Sequence, residues 1–296
     1  MRFHRLLLIL ALVSVTAIGQ TGPTYPPNLP DATVEVYKTV GETKLNLFIF
    51  SPPGGAAAEK RAAIVFFFGG YWRQGNPAQF AMQCRRLASL GIVAVTADYR
   101  VSSRNQTNVT DSVRDAKAAI RYIRGNALRL RIDPERIAAG GGSAGGHLAV
   151  STALLPGFDE DSEISSRPNA LILFNPVVLL APVLNDVQLA RIGADIDEIP
   201  ELKVVDAISV SPWHHVSSGA PPIIIFHGRA DTVVPFVTVE SFSKKMHAAG
   251  NRCELVGFEG QEHGFFNYSP NGNKYYDETL DKAEEFLASI GYLKPR

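Results

Sequence analysis

Apolar and polar positions alternate along this chain in two distinct rhythms. Thr33–Val40 and Lys44–Phe50 alternate around Gly41-Glu42-Thr43, the period-two pattern of an antiparallel hairpin. Ala62–Phe68 is continuously apolar, as strands buried on both faces are. A helical pattern follows from about Pro77 to Leu90, with the proline suited to the first turn. The sequence then repeats this alternation. Ile92–Ala97 predicts a strand, and Val113, Ala116, Ile120, Ile123 and Ala127 predict a helix face that Thr110 or Asp111 can cap. Arg136–Gly140 predicts a strand and Ala144–Leu154 a helix. Ala170–Phe174 reads as a further buried strand, and Pro222–Phe226 and Cys253–Phe258 as the remaining strands. Helix faces follow at Val239, Phe242, Met246 and Ala249, and at Tyr276, Leu280, Ala283, Leu287 and Ile290. The expected fold is α/β, a mostly parallel central sheet with helices on both faces and the hairpin at one edge. Prolines at 176, 182 and 200 interrupt the rhythm, so 176–211 is the candidate small cap or pocket wall.

The N-terminus departs from this pattern. Arg2, His4 and Arg5 precede the apolar run Leu6–Val13, and Ala17-Ile18-Gly19 offers a cleavage site, so residues 1–19 read as a secretory signal peptide. An uncleaved N-terminal anchor is the alternative. Residues 20–31 read as an extended leader, and 32–296 as a single domain. The expected location is secreted or periplasmic. The apolar run is short for a membrane span, so no stable insertion is expected after cleavage.

Charge adds little, with Lys+Arg and Asp+Glu at 29 each. The helix bearing Val113 carries Arg114, Lys117, Arg121 and Arg124 on its other face, without interleaved aromatics. We therefore expect a solvated face rather than a nucleic-acid surface. Cys84 and Cys253 are the only cysteines; they read as buried apolar residues, and their pairing stays open. No metal is implied, because the histidines lack H-E-x-x-H spacing, and no nucleotide, flavin or other cofactor motif appears.

In parallel sheets ligands gather at the carboxyl ends of the strands. There Gly141-Gly142-Ser143-Ala144-Gly145 fits G-x-S-x-G between a strand and a helix. Such a turn lifts the Ser143 hydroxyl clear of the backbone. A phosphate-cradling loop is disfavoured, since no lysine follows the glycines. A serine nucleophile needs a base, and His263 occupies the loop between the last strand and last helix. His147, His214, His215, His227 and His247 are its competitors. Asp231, just past a strand, is the expected acid, with Glu262, Glu259 and Asp206 as alternatives and a turn cap or a salt bridge to Arg229 as the bland role. Oxyanion donors are expected at the Ala144 amide and in Gly69-Gly70-Tyr71, at Gly70 and Tyr71.

These features together resemble an α/β-hydrolase, and within that superfamily secreted carboxylesterases of the hormone-sensitive-lipase-like and feruloyl/acetyl-esterase-like groups. The resemblance covers about residues 60–290. It rests on Phe68-Gly69-Gly70-Tyr71-Trp72, Asp98-Tyr99-Arg100, Gly141 through Ala149, Ser211-Pro212, Asp231 with Val234-Pro235, and His263-Gly264-Phe265. It implies Ser143 as nucleophile, His263 as base and Asp231 as acid. Two departures stand in the oxyanion motif: Phe68 replaces its histidine and Tyr71 its third glycine, and a Tyr71 donor requires ordinary dihedrals. The expected activity is hydrolysis of short-chain acyl esters through an acyl-enzyme. Tyr71 and Trp72 are expected to bind substrate, by stacking on a sugar ring or by packing the acyl group, which suggests deacetylation of polysaccharide fragments. A prolyl-oligopeptidase-like peptidase and a catalytically silent binding module are the alternatives.

Overall fold

The computed structural model describes residues 25–54, 60–159, 163–196 and 199–294. The expected signal peptide lies outside the described residues. In chain order the elements are β1 (Thr33–Val40), β2 (Thr43–Phe50), β3 (Arg61–Phe67), α1 (Ala81–Ser89), β4 (Val93–Ala97), α2 (Ser102–Asn105), α3 (Val109–Gly125) and α4 (Ala127–Leu130). Then come β5 (Ile132–Gly142), α5 (Ala144–Leu154), β6 (Ala170–Phe174), α6 (Val187–Ile196), β7 (Ile223–Gly228), α7 (Phe236–Ala248), β8 (Cys253–Phe258) and α8 (Lys274–Ser289). Short 3₁₀ turns stand at Pro77–Phe80 and Pro212–His215.

Among the described residues these strands form one sheet in the order β1-β2-β4-β3-β5-β6-β7-β8. The β1–β2 and β2–β4 pairs are antiparallel, and every pair from β4 to β8 is parallel. The apolar runs explain the layers. Along β3, Ala63, Val65 and Phe67 face one core with α3, α5 and α7, while Ala62, Ile64 and Phe66 face a second core with α1 and α8. A strand covered on both sides has no polar face to show, which is why its sequence is unbroken.

Three sequence expectations change. Helix α3 is capped by Asn108, whose side chain accepts from the Thr110 and Asp111 amides in a capping box, not by Thr110 or Asp111. Its basic strip is a solvated face only in part: Arg114 is exposed, but Lys117 and Arg121 are 3 % and 7 % exposed. Both pair with Asp159, at 2.7 and 2.5 Å, tying α3 to the loop after α5. The described part of the leader is packed on the domain. Pro27 is buried, Leu29 and Ala32 pack on the second core, and Asp31 holds Arg85 through both oxygens. Cys84 and Cys253 are buried free thiols.

Candidate active site

Strand β5 runs into α5 through Ser143, whose backbone sits at φ 55°, ψ −121°. A non-glycine residue in such a region costs about 1–3 kcal/mol and persists only where its surroundings impose it. Here they do. The Ser143 N–H donates to the Phe174 carbonyl at 2.9 Å, and its own carbonyl accepts from His147 and Val177 at 3.0 and 3.3 Å. The glycines at 141 and 145 are steric necessities. A Cβ on Gly145 would stand 2.0 Å from the Phe67 carbonyl oxygen, and one on Gly141 2.4 Å from that of Gly145.

The loops after β7 and β8 bring two further side chains to this turn. His263 Nε2 lies 2.9 Å from Ser143 Oγ, and His263 Nδ1 lies 2.8 Å from Asp231 Oδ2. A carboxylate only accepts, so Nδ1 carries the proton and Nε2 is the free base facing the hydroxyl. The Asp231 carboxylate is saturated. Its Oδ1 accepts from the Val233 and Val234 amides, both at 2.9 Å. Its Oδ2 accepts from Asn175 Nδ2 at 2.8 Å and faces His227 Nε2 at 3.2 Å. Burial alone would raise this carboxyl, but hydrogen bonds from His227, His263 and the Val234 amide outweigh it and hold it well below the usual carboxylate range. Arg229 is engaged by Glu259 at 2.7 Å, not by Asp231. The competing histidines do not approach Ser143 Oγ: His214, His215 and His247 have partners elsewhere, and His147 is buried within α5.

Asn175 and His227 are not anticipated from the sequence as members of this group. The available signal was positional: both stand at the carboxyl end of the sheet, His227 near the end of β7 and Asn175 directly after β6. Asn175 also adopts φ 41°, a region asparagine tolerates better than most residues.

Beside the serine, Gly70, Tyr71 and Trp72 have φ 129°, 59° and 55°. The dihedral condition placed on Tyr71 is therefore not met, since its backbone is left-handed. Gly70 must be glycine, because a Cβ there would stand 2.3 Å from the Gln74 carbonyl oxygen. The Gly70 carbonyl accepts from the Arg73 and Gln74 amides, closing the turn. The Gly69 N–H is held by Gln79 Oε1 at 2.6 Å, while the amides of Gly70, Tyr71 and Ala144 have no partner among the described residues. Ala144 is the first residue of α5, so its amide points out of the helix N-terminus.

Three contacts anchor this glycine loop. Phe68, which replaces the motif histidine, stacks on Tyr99 with ring centroids 4.1 Å apart, and the Tyr99 hydroxyl donates to the Phe68 carbonyl at 2.8 Å. Gln79 bridges to Asn267 at 3.0 Å, and Asn267 donates to the Gly264 carbonyl at 2.8 Å, beside His263. Trp72 Nε1–H donates to His147 Nδ1 at 3.2 Å, and His147 Nε2 lies 2.7 Å from the Val210 carbonyl. Because an indole only donates, Nδ1 must be bare and Nε2 protonated. Burial pushes His147 down to about 4, against the opposing effect of the Val210 carbonyl, so it stays neutral.

Ser143 opens on two cavities. One, of about 50 Å³, is lined mainly by apolar groups, among them Trp72, Val177, Ile192, Ile199 and Val234. Ile192 belongs to α6 and Ile199 follows it, so the 176–211 segment forms part of the pocket wall. The other cavity, of about 750 Å³, is lined by His263, Tyr71, Tyr25, Arg104 and several amide side chains. Trp72 is 1 % exposed with its N–H engaged, so it cannot stack on a sugar ring; it is a wall of the small pocket. Tyr71, 46 % exposed, stands at the rim.

The BD-FAE family model matches residues 47–246, and the dienelactone hydrolase family model matches 209–291. The probable carboxylic ester hydrolase LipM of Mycobacterium tuberculosis is 32 % identical over 75 % of this chain and 53 % of its own length. An acetylxylan esterase of Xylanibacter ruminicola is 26 % identical over 95 % of this chain and 54 % of its own. The chain thus spans about half the length of these curated relatives. A thermophilic esterase of Thermogutta terrifontis, Est2, solved with butyrate bound, is 48 % identical, covers 93 % of this chain and 100 % of its own, and superposes with a TM-score of 0.86. The match extends through the sheet and the serine turn, and the chain belongs to the BD-FAE family and has the α/β-hydrolase fold.

Proposed function

We propose that the protein is a serine carboxylesterase for short-chain acyl esters. The observation that carries the reading is the unbroken relay from Ser143 Oγ through His263 to Asp231, at 2.9 and 2.8 Å. His263 Nε2 takes the hydroxyl proton as Ser143 Oγ bonds to the ester carbonyl carbon. Negative charge forms on the carbonyl oxygen, and the uncommitted amides of Gly70 and Ala144 are the candidate donors for it. His263 then gives its proton to the departing alkoxide, leaving acyl-Ser143 and free alcohol. Water, deprotonated by His263, releases the acid and restores the serine.

The two cavities divide the substrate. The group that protonates the leaving alcohol is His263, and it lines the large cavity, not the small one. The alcohol therefore belongs in the large cavity and the acyl group in the small one. A volume of about 50 Å³ suits acetyl to butyryl and excludes long chains. Est2 has been solved with propionate and with butyrate bound, which supports the same range here. The acetylxylan esterase relative supports an acylated carbohydrate as natural substrate. Export is proposed on residues 1–19 alone, with N-terminal sequencing of the exported protein as its check.

A series of p-nitrophenyl esters tests the activity. Acetate to butyrate should turn over, octanoate should fall at least tenfold in kcat/KM, and Ser143→Ala should lose activity by about 10³-fold or more. Est2 has been solved phosphorylated by paraoxon, so the same reagent should modify this protein stoichiometrically and spare Ser143→Ala. Turnover or modification that survives in Ser143→Ala would remove the proposed nucleophile.

A further inference from the structure

We propose that Tyr25, ahead of the sheet, is a specificity-determining wall of the leaving-alcohol site, selecting esters of ring-bearing alcohols. The proposal rests on the esterase reading and extends it to a residue outside the α/β core.

Tyr25 lines the large cavity together with Ser143, His263 and Tyr71, and is 42 % exposed. The ring is fixed at two places. Its hydroxyl donates to the Asp98 carboxylate, and the Arg104 guanidinium lies 3.9 Å from its centroid. Arg104 is itself held, donating to the Gly75 carbonyl at 2.7 Å. With one face under the guanidinium and the hydroxyl engaged, the exposed surface of the ring is what remains to meet a ligand in the cavity. The backbone behind it is secured by buried Pro27 and by the Asp31–Arg85 pair. A ring already immobilised loses little freedom on binding, which is the condition for a useful contact. Tyr71, 46 % exposed, supplies a second aromatic surface to the same cavity. Two aromatic surfaces beside the atom that protonates the alcohol favour a ring with an apolar face, either the C–H face of a pyranose or the plane of an aryl group. A short aliphatic alcohol would reach neither.

Three acetate esters sharing one acyl-enzyme test this: ethyl acetate, phenyl acetate and an acetylated xylo-oligosaccharide. Tyr25→Ala should lower kcat/KM for at least one ring ester about tenfold more than for ethyl acetate. The ring ester that falls further identifies the sugar or the aryl group as the preferred alcohol. Tyr25→Phe keeps the ring and its Arg104 contact while losing the Asp98 bond, and should retain most of the ring-ester preference that Tyr25→Ala loses, with melting curves recorded for both variants. Equal losses across the three esters, or no loss on any, overturns the role of Tyr25 while leaving the esterase reading intact. Failure of the unsubstituted protein on all three overturns that reading, and this one with it.

Discussion

At the scale of single residues, Asp231 shows how the site is held ready. Its two oxygens accept from two backbone amides, the Asn175 amide and the His263 imidazole, and His227, which holds the Val234 carbonyl at 2.8 Å, stands beside Oδ2. Asp231→Asn replaces one acceptor by an NH₂ that must face donors on either side. If the NH₂ takes the Oδ2 position, His263 is driven to the wrong tautomer and Nε2 can no longer accept the serine proton. We expect kcat to fall by about 10³–10⁴-fold with a smaller change in KM, measured on a short-chain aryl ester; a drop below tenfold would detach Asp231 from the relay. The strand-end placement of Ser143, Asp231 and His263 was legible because each follows an apolar run at the same edge of the sheet. Asn175 and His227 were not legible in that way. Their role depends on a second ring of contacts around the carboxylate, which no sequence spacing records. Of the two roles expected of Trp72, it takes the packing one and not the stacking one, for a related reason. A left-handed backbone at 71 and 72 goes with a buried indole that meets His147, and neither residue type announces it.

At the scale of elements, most strands were legible to within two residues, although β5 begins four residues before the expected Arg136, and the loops that carry chemistry were not. β1, β5's serine turn, β6 and β8 follow from alternation or unbroken apolarity, since burial on one or both faces leaves that mark directly. The buried faces of Lys117 and Arg121 left no such mark, because the charges are satisfied by an aspartate 38 or more positions away. The glycine loop after β3 is likewise held from a distance. Gln79 couples Gly69 to Asn267 and through it to the His263 loop, so one side chain sets the spacing between the oxyanion amides and the base. Gln79→Leu removes both bonds while keeping similar volume. Loss of a single oxyanion donor costs about 10²–10³-fold in kcat, and loosening the loop should cost less, about tenfold. The fall should appear in kcat for small and large alcohols alike, which separates it from a change in alcohol binding. Unchanged kcat would mean that the Tyr99 and Trp72 contacts hold the loop alone.

At the scale of the whole molecule, Asp98 joins the N-terminal segment, the hairpin and the parallel sheet at one buried point. Its amide donates to the Asn46 carbonyl of β2, its carbonyl accepts from Tyr37 of β1, and its carboxylate accepts from Tyr25. Burial is the largest influence on the carboxyl and raises it to about 6, against the lowering effects of the Tyr25 hydroxyl, Arg104 and the Tyr99 amide. The sign of the consequence follows from linkage. The unfolded chain ionises Asp98 near its ordinary value of 3.8, while the folded chain keeps it protonated to about 6. Between those values the folded state binds more protons, so stability falls as pH rises. A shift of this size corresponds to about 3 kcal/mol, fully lost above about pH 6 and absent as a penalty below about pH 4. Asp98→Asn abolishes the ionisation and keeps an acceptor for the Tyr99 amide. Whatever pH-independent change the substitution makes, the variant should gain on the unsubstituted protein as pH rises from 4 to 8. Melting temperatures measured at both ends should show that relative gain as several degrees, and a difference that stays flat with pH would place the Asp98 carboxyl in its ordinary ionised state within the fold.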